Sequence, residues 1–136
     1  MVEKIYSKHY KNPEKKWCLA ALLHEAPEYG IGDMISPVKS AIGSDYQSLE
    51  NRLRSAINLR FGLPTKLPEN IKKQIKKADK ISAWIEATQI AGFSEDEANK
   101  LIGPAPKNNV DNFSIKLRAP LEVREDYILR FKELFI

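Results

Sequence analysis

The stretch Ile71-Lys72-Lys73-Gln74-Ile75-Lys76-Lys77-Ala78-Asp79-Lys80-Ile81-Ser82-Ala83-Trp84-Ile85 decides the fold class. Ile71, Ile75, Ala78, Ser82 and Ile85 recur at the spacing of one helical face, and most of the lysines fall on the opposite face. Pro68 suits the first turn of this helix and Gly92 stops it near Ala91, so the expected element is long. The lysine face, approached by Lys66, reads as a solvated surface. No aromatic side chains interleave with the lysines, which argues against a nucleic-acid partner.

Working outward, the neighbouring segments carry the same helical punctuation. Asn12-Pro13 reads as an N-cap with proline at the first helical position, opening a run through Trp17, Ala20, Ala21, Leu23 and His24 that Gly30 and Gly32 break. Ser44-Asp45-Tyr46-Gln47 reads as a capping box for a helix to Phe61, with Tyr46, Leu49, Leu53, Ala56, Ile57 and Arg60 on its inner stripe. Ser94-Glu95-Asp96-Glu97 is a second capping box, for a short helix ended by Gly103-Pro104. Residues 104–117 read as a loop. The last helix, near Pro120 to Phe135, is expected to bury Leu121, Tyr127, Ile128, Phe131, Leu134 and Phe135. Five helices plus a short piece around Ile35 to Ile42, with no convincing strand, predict an all-α fold: a compact multi-helix domain over residues 1–136.

Composition narrows the classes. The chain has 136 residues, 43% of them apolar and 29% charged, a globular balance able to build one core. Cys18 is the single cysteine, which excludes an intramolecular disulfide framework and a CxxC site; it reads as a small buried residue. No apolar run approaches the ~18 residues of a membrane span and no signal-peptide pattern opens the chain, so the expected address is the cytoplasm. Twenty-two basic against 18 acidic side chains give +4, a mild excess compatible with a phosphorylated ligand.

Three acidic places are out of keeping with simple amphipathic helices. In Leu22-Leu23-His24-Glu25-Ala26-Pro27-Glu28 a histidine and two glutamates directly follow an apolar run, and helical spacing would let them share one face. Imidazole beside carboxylates is a ligand set for a divalent metal; spacing alone favours a core histidine with two solvated glutamates. Asp79 lies on or beside the apolar stripe, where a carboxylate needs a cation, supplied by Lys76, Lys80 or a neighbouring helix's arginine in the alternative reading. Asp33, after Gly30-Ile31-Gly32, suits either a site or the cap of the next short helix.

With these residues in view, the sequence resembles the HD-domain metal-dependent phosphohydrolases, in particular the nucleotidase-like branch. The likeness runs through Ala20-Ala21-Leu22-Leu23-His24-Glu25-Ala26-Pro27-Glu28, Ile31-Gly32-Asp33-Met34-Ile35-Ser36-Pro37-Val38-Lys39, Ala78-Asp79-Lys80-Ile81-Ser82-Ala83-Trp84 and Phe131-Lys132-Glu133-Leu134-Phe135, in the family's order. The resemblance implies that His24, Glu25 and Asp79 hold a divalent ion (Mn, Co, Fe, Zn or Mg). It also implies that Glu28 and Asp33 position water and shape the phosphate site, and that Lys39 contacts the substrate. The implied activity is phosphomonoester hydrolysis of a small nucleotide such as a (deoxy)nucleoside 5′-monophosphate.

Two departures accompany the resemblance. The family's doublet is His-Asp, whereas this chain has His24-Glu25, whose carboxylate sits one carbon, about 1.5 Å, farther out. The family also places a first metal histidine, with a phosphate-binding arginine, on a helix upstream of the doublet. Here the only upstream histidine is His9, and Val2 to Tyr10 reads as what remains of that helix. A shortened or split gene, a late start, or a variant recruiting His9 or a partner chain would each account for this. The uncovered apolar surface favours a homodimer. The alternative function is a non-catalytic, degenerate helical module used for binding.

Overall fold

The computed structural model describes residues 1–104 and 113–136. Eight helices and no strand occur among them: α1 (Val2–His9), α2 (Lys15–Leu22), α3 (Glu28–Ile31), α4 (Ser36–Ile42), α5 (Ser44–Arg60), α6 (Glu69–Gln89), α7 (Glu95–Leu101) and α8 (Pro120–Phe135). The all-α expectation holds. Among the described residues no helix is long and apolar enough to cross a membrane.

The long helix α6 is the organising element. Pro68 stands at its N-cap, and Ile71, Ile75, Ala78, Ser82 and Ile85 are all buried, as the periodicity requires. The five lysines between 72 and 80 are exposed on the other side. Burying a side chain such as Ile85 removes enough apolar surface to stabilise the fold by about 1.5–3 kcal/mol. α1 lies against α6 through Ile5 and Tyr6, whose hydroxyl donates to Gln74 Oε1 at 3.2 Å. α2 packs between α1 and α8, and α7 closes the end of α6, where Trp84 Nε1 donates to Asn99 Oδ1 at 3.0 Å. Cys18 is buried as expected, with Ser7 Oγ 3.4 Å from its sulfur.

Several local expectations change. Asn12 does not cap α2; it adopts a left-handed φ of 49°, and the helix starts after Glu14. α2 stops at Leu22, so its apolar pattern runs on into a turn instead of a helix end. The Ser44–Gln47 capping box does not form: α5 begins at Ser44 itself, with Gly43 as N-cap at φ 84°, a backbone angle that lets the chain turn sharply out of α4. The Ser94 box does form, with Glu97 N donating to Ser94 Oγ and Ser94 N to Glu97 Oε2. Asp33 does not cap α4, whose N-cap is Ile35. Residues 105–112 of the expected 104–117 loop lie outside the described residues.

Two inner stripes are narrower than the sequence suggests. On α5 only Tyr46 and Asn58 are buried, Leu53 and Ile57 are half-buried, and Leu49, Ala56 and Arg60 are exposed. On α8 Leu134 is buried, Ile128 and Phe131 are half-buried, and Tyr127, Phe135 and, at 72% exposure, Leu121 face outward. Phe131 and Phe135 still form a ring cluster with Phe61, centroids 5.2–5.5 Å apart. Polar contacts also tie α8 down: Arg130 donates to buried Glu3 on α1, and Tyr127 Oη donates to Leu22 O at 3.3 Å.

Candidate metal centre

The burial of Leu19, Ala21 and Leu23 carries the end of α2 into the core and leaves His24 at its edge. Between α2 and α3 the chain makes short-range turns: Ala26 N bonds to Leu23 O and Glu28 N to Glu25 O, each at 3.0 Å. Pro27 contributes to this break, because it has no N–H to bond Leu23 O and its ring crowds that carbonyl. The turns bunch His24, Glu25 and Glu28 in a few residues. Asp79 comes to them from the flank of α6, between buried Ala78 and exposed Lys80.

His24 Nε2 lies 3.3 Å from Glu25 Oε1 and 3.9 Å from Asp79 Oδ2. One ligand atom from each of the three residues falls within 4.8 Å of the others. Their side chains are 24%, 51% and 40% exposed, so the group is anchored in the fold yet open to solvent. One imidazole nitrogen and two carboxylates are a donor set that suits Zn, Mn, Fe or Co, and three protein ligands leave positions for water or substrate. The residues therefore fit a divalent ion.

The charge pattern points the same way. Loss of hydration raises the Glu25 pKa; His24 pulls it down, but a hydrogen bond donated by the protonated Glu25 carboxyl to Glu28 and the charges of Glu28 and Asp79 add to the rise, to about 7. Crowded carboxylates resist ionising together, and a cation relieves them. Glu28 is also 3.5 Å from Lys39 Nζ. Dehydration opposes the Lys39 charge, but Glu50 and Glu28 outweigh it and hold the ammonium above its ordinary value. Lys39 Nζ also stands 5.9 Å from the centre of the Tyr46 ring, whose hydroxyl donates to Gly32 O at 3.4 Å.

Of the six residues singled out in the sequence, the fold joins five: His24, Glu25 and Asp79 directly, with Glu28 and Lys39 linked beside them. Asp33 is exposed on the segment between α3 and α4 and is not one of the three convergent residues. His9 is not among them either; its Nε2 is 3.1 Å from Lys77 Nζ. Sequence reasoning missed Arg54, whose Nη1 donates to His24 O at 2.6 Å while Nη2 donates to Glu50 Oε1 at 2.9 Å. The Glu50–Arg54 spacing of four residues is legible, but the backbone carbonyl it serves is not. A shallow depression along the outer face of α5, from Ser44 to Leu59, includes none of these side chains.

No family model matches the chain. The chain is similar to an uncharacterized protein of Rhodobacter capsulatus, with 50% identity over 130 residues. The aligned stretch is 96% of this chain and 66% of that protein, so the chain spans just under two thirds of its relative's length.

Proposed function

We propose that this chain is a metal-dependent phosphohydrolase of the HD type, acting on a small phosphorylated substrate such as a nucleoside 5′-monophosphate. The observation that carries the reading is the convergence of His24 and Glu25, from the turn after α2, with Asp79, from the middle of α6. Neighbours in sequence often cluster by chance of spacing; a histidine-carboxylate pair meeting a second carboxylate from another helix is a stronger signal of a ligand set. The motif order in the sequence supports the family assignment.

In this reading His24, Glu25 and Asp79 hold the ion, which when bound acidifies water and offsets charge on phosphoryl oxygens. Glu28 orients the attacking water, placed for this by its contacts to Glu25 and Lys39. Lys39 attracts the substrate phosphate once its pairing with Glu28 loosens. Asp33, on the exposed neighbouring segment, is assigned to the water or the leaving group. Phosphoryl transfer needs chiefly positioning and positive charge, which these residues and one ion can provide. Exposed Leu121 and Leu129 on α8, with Ile136 just after it, support self-association as a homodimer, which sedimentation equilibrium would measure.

The test is phosphate release from a panel of nucleoside 5′-monophosphates with Co²⁺, Mn²⁺ or Mg²⁺, beside Asp79→Asn. Metal-dependent release abolished by that change is the expected result; equal release from both proteins would sink the assignment.

A second reading has its own observation. Glu25 replaces the family's aspartate, and with its pKa raised to about 7 a proton competes with an ion for its carboxyl near neutral pH. That favours a degenerate helical module used for binding. It predicts no tight metal site, and stoichiometric Mn²⁺, Co²⁺ or Fe²⁺ in the purified protein, lost in His24→Ala, would exclude it.

A further inference from the structure

We propose that Arg54 is a positioning residue for the metal centre, acting through the main chain of His24. The inference rests on the reading that His24, Glu25 and Asp79 hold a divalent ion. Three observations lead to it. First, α2 ends at Leu22, so His24 lies where the helical hydrogen-bond ladder has stopped, and among the described residues no backbone N–H donates to its carbonyl. Terminal carbonyls of this kind need a partner from elsewhere. Second, Arg54 is that partner: Nη1 donates to His24 O at 2.6 Å, a short charge-assisted bond across thirty positions of sequence. Third, the guanidinium is itself held, because Nη2 donates to Glu50 Oε1 one turn earlier on α5. Glu50 fixes the fork, the fork fixes the carbonyl, and the carbonyl sets the peptide plane on which Glu25 follows His24.

The consequence reaches both ligands in the turn. His24 and Glu25 are consecutive, and their side chains must aim at the same point near Asp79. Rotating the peptide between them would move one ligand relative to the other. A lysine at position 54 can reach a carbonyl but cannot hold Glu50 and His24 O together in one plane, so it should substitute only in part. Tyr127 makes a comparable contact slightly upstream by donating to Leu22 O, but that carbonyl belongs to the helix and precedes both ligands.

The experiment is a Co²⁺ titration of the full chain followed by visible absorption, comparing wild type with Arg54→Met, Arg54→Lys and Arg52→Met. Arg52 is exposed on the same helix and controls for the lost charge. Supporting groups of this kind typically change metal affinity by about 10–100-fold. The expected result is a loss in that range in Arg54→Met with an altered visible band, an intermediate loss in Arg54→Lys, and wild-type behaviour in Arg52→Met. Free guanidinium should restore some of the Arg54→Met loss. A wild-type affinity and spectrum in Arg54→Met overturns the inference, because a purely structural role would lower stability without altering the folded site. If wild type itself binds no Co²⁺, the metal reading falls separately, and Arg54 is judged on the metal-free protein. There, shifted His24 ring resonances and faster exchange of the amides at 25 and 26 in Arg54→Met, absent in Arg52→Met, support positioning of the turn; unchanged signals overturn it. The chain has two histidines, so the ring signals can be assigned.

Discussion

Arg130 Nη2 donates to Glu3 Oε1 at 2.7 Å, joining the last helix to the first across 127 positions of sequence. Glu3 is 4% exposed and also accepts from Ser7 Oγ at 2.6 Å, so its carboxylate has traded water for these two donors. Arg130→Met removes the charged donor and leaves the acid dehydrated; the expected loss is about 2–3 kcal/mol of folding stability. Urea unfolding would measure it, and a second change, Glu3→Gln, should recover some of the loss. No recovery in the double variant would mean that the arginine acts by packing alone.

The Glu25 carboxyl makes a pH prediction with a definite sign. Its folded pKa of about 7 lies above the ordinary carboxyl value of 4.5, so between those values the folded chain holds a proton that the unfolded chain has released. Stability from this group is therefore full below about pH 4.5 and falls as pH rises through 7. Glu25→Gln keeps a similar shape without the titration. Unfolding measured from pH 5 to pH 8 should show the wild type losing ground relative to Glu25→Gln, and carbon NMR of the Glu25 carboxyl should give a midpoint near 7.

Ligand binding to the folded state alone raises its melting temperature by mass action. Metal-free protein given Co²⁺ should melt higher, whereas His24→Ala and Asp79→Asn should show little or no rise. A rise of equal size in all three proteins would place the ion elsewhere.

Core and surface positions should separate cleanly. Ile85 is wholly buried and Leu129 is largely exposed. Ile85→Ala should cost about 2–5 kcal/mol through lost contacts and the cavity left behind. Leu129→Ala on the monomer should stay within about 0.5 kcal/mol, as ordinary surface changes do. A large loss for Leu129→Ala at high protein concentration alone would locate it in an interface between copies.

Ser94 offers a local test. Its hydroxyl accepts from Glu97 N and its own N–H donates back to Glu97 Oε2, closing the start of α7. Ser94→Ala should cost about 1 kcal/mol, read as faster amide exchange confined to the first turn of α7.

What the sequence reveals unaided follows from how local each cause is. α6 is legible because its buried stripe keeps helical spacing from Ile71 to Ile85, about four turns, and α7 because Ser94 and Glu97 satisfy each other within one turn. The Ser44 box carries similar letters but fails, since the chain enters α5 through Gly43 at φ 84° and Ser44 is already helical. The end of α2 is hard to place because Leu22 and Leu23 continue the apolar pattern past the point where Pro27 forces turns. Leu121 has the look of core, yet its burial depends on which helix lies over it, and none of the described residues covers it. In the candidate site, residue types point to His24, Glu25 and Asp79, while Arg54 stays hidden because its partner is a carbonyl, a group every residue has.

α6 presents a buried stripe to the core and Asp79 from its flank, and a helix admits only one rotation that serves both. Adding or deleting a single residue between Ile71 and Asp79 would turn Asp79, Ser82 and Ile85 together by about 100° relative to Ile71, so that the two ends of the stripe could not both face the core while Asp79 meets His24. Natural versions of this chain should therefore vary in length at the joints, such as the 90–94 connection after α6, while the count of residues from Ile71 to Asp79 stays fixed.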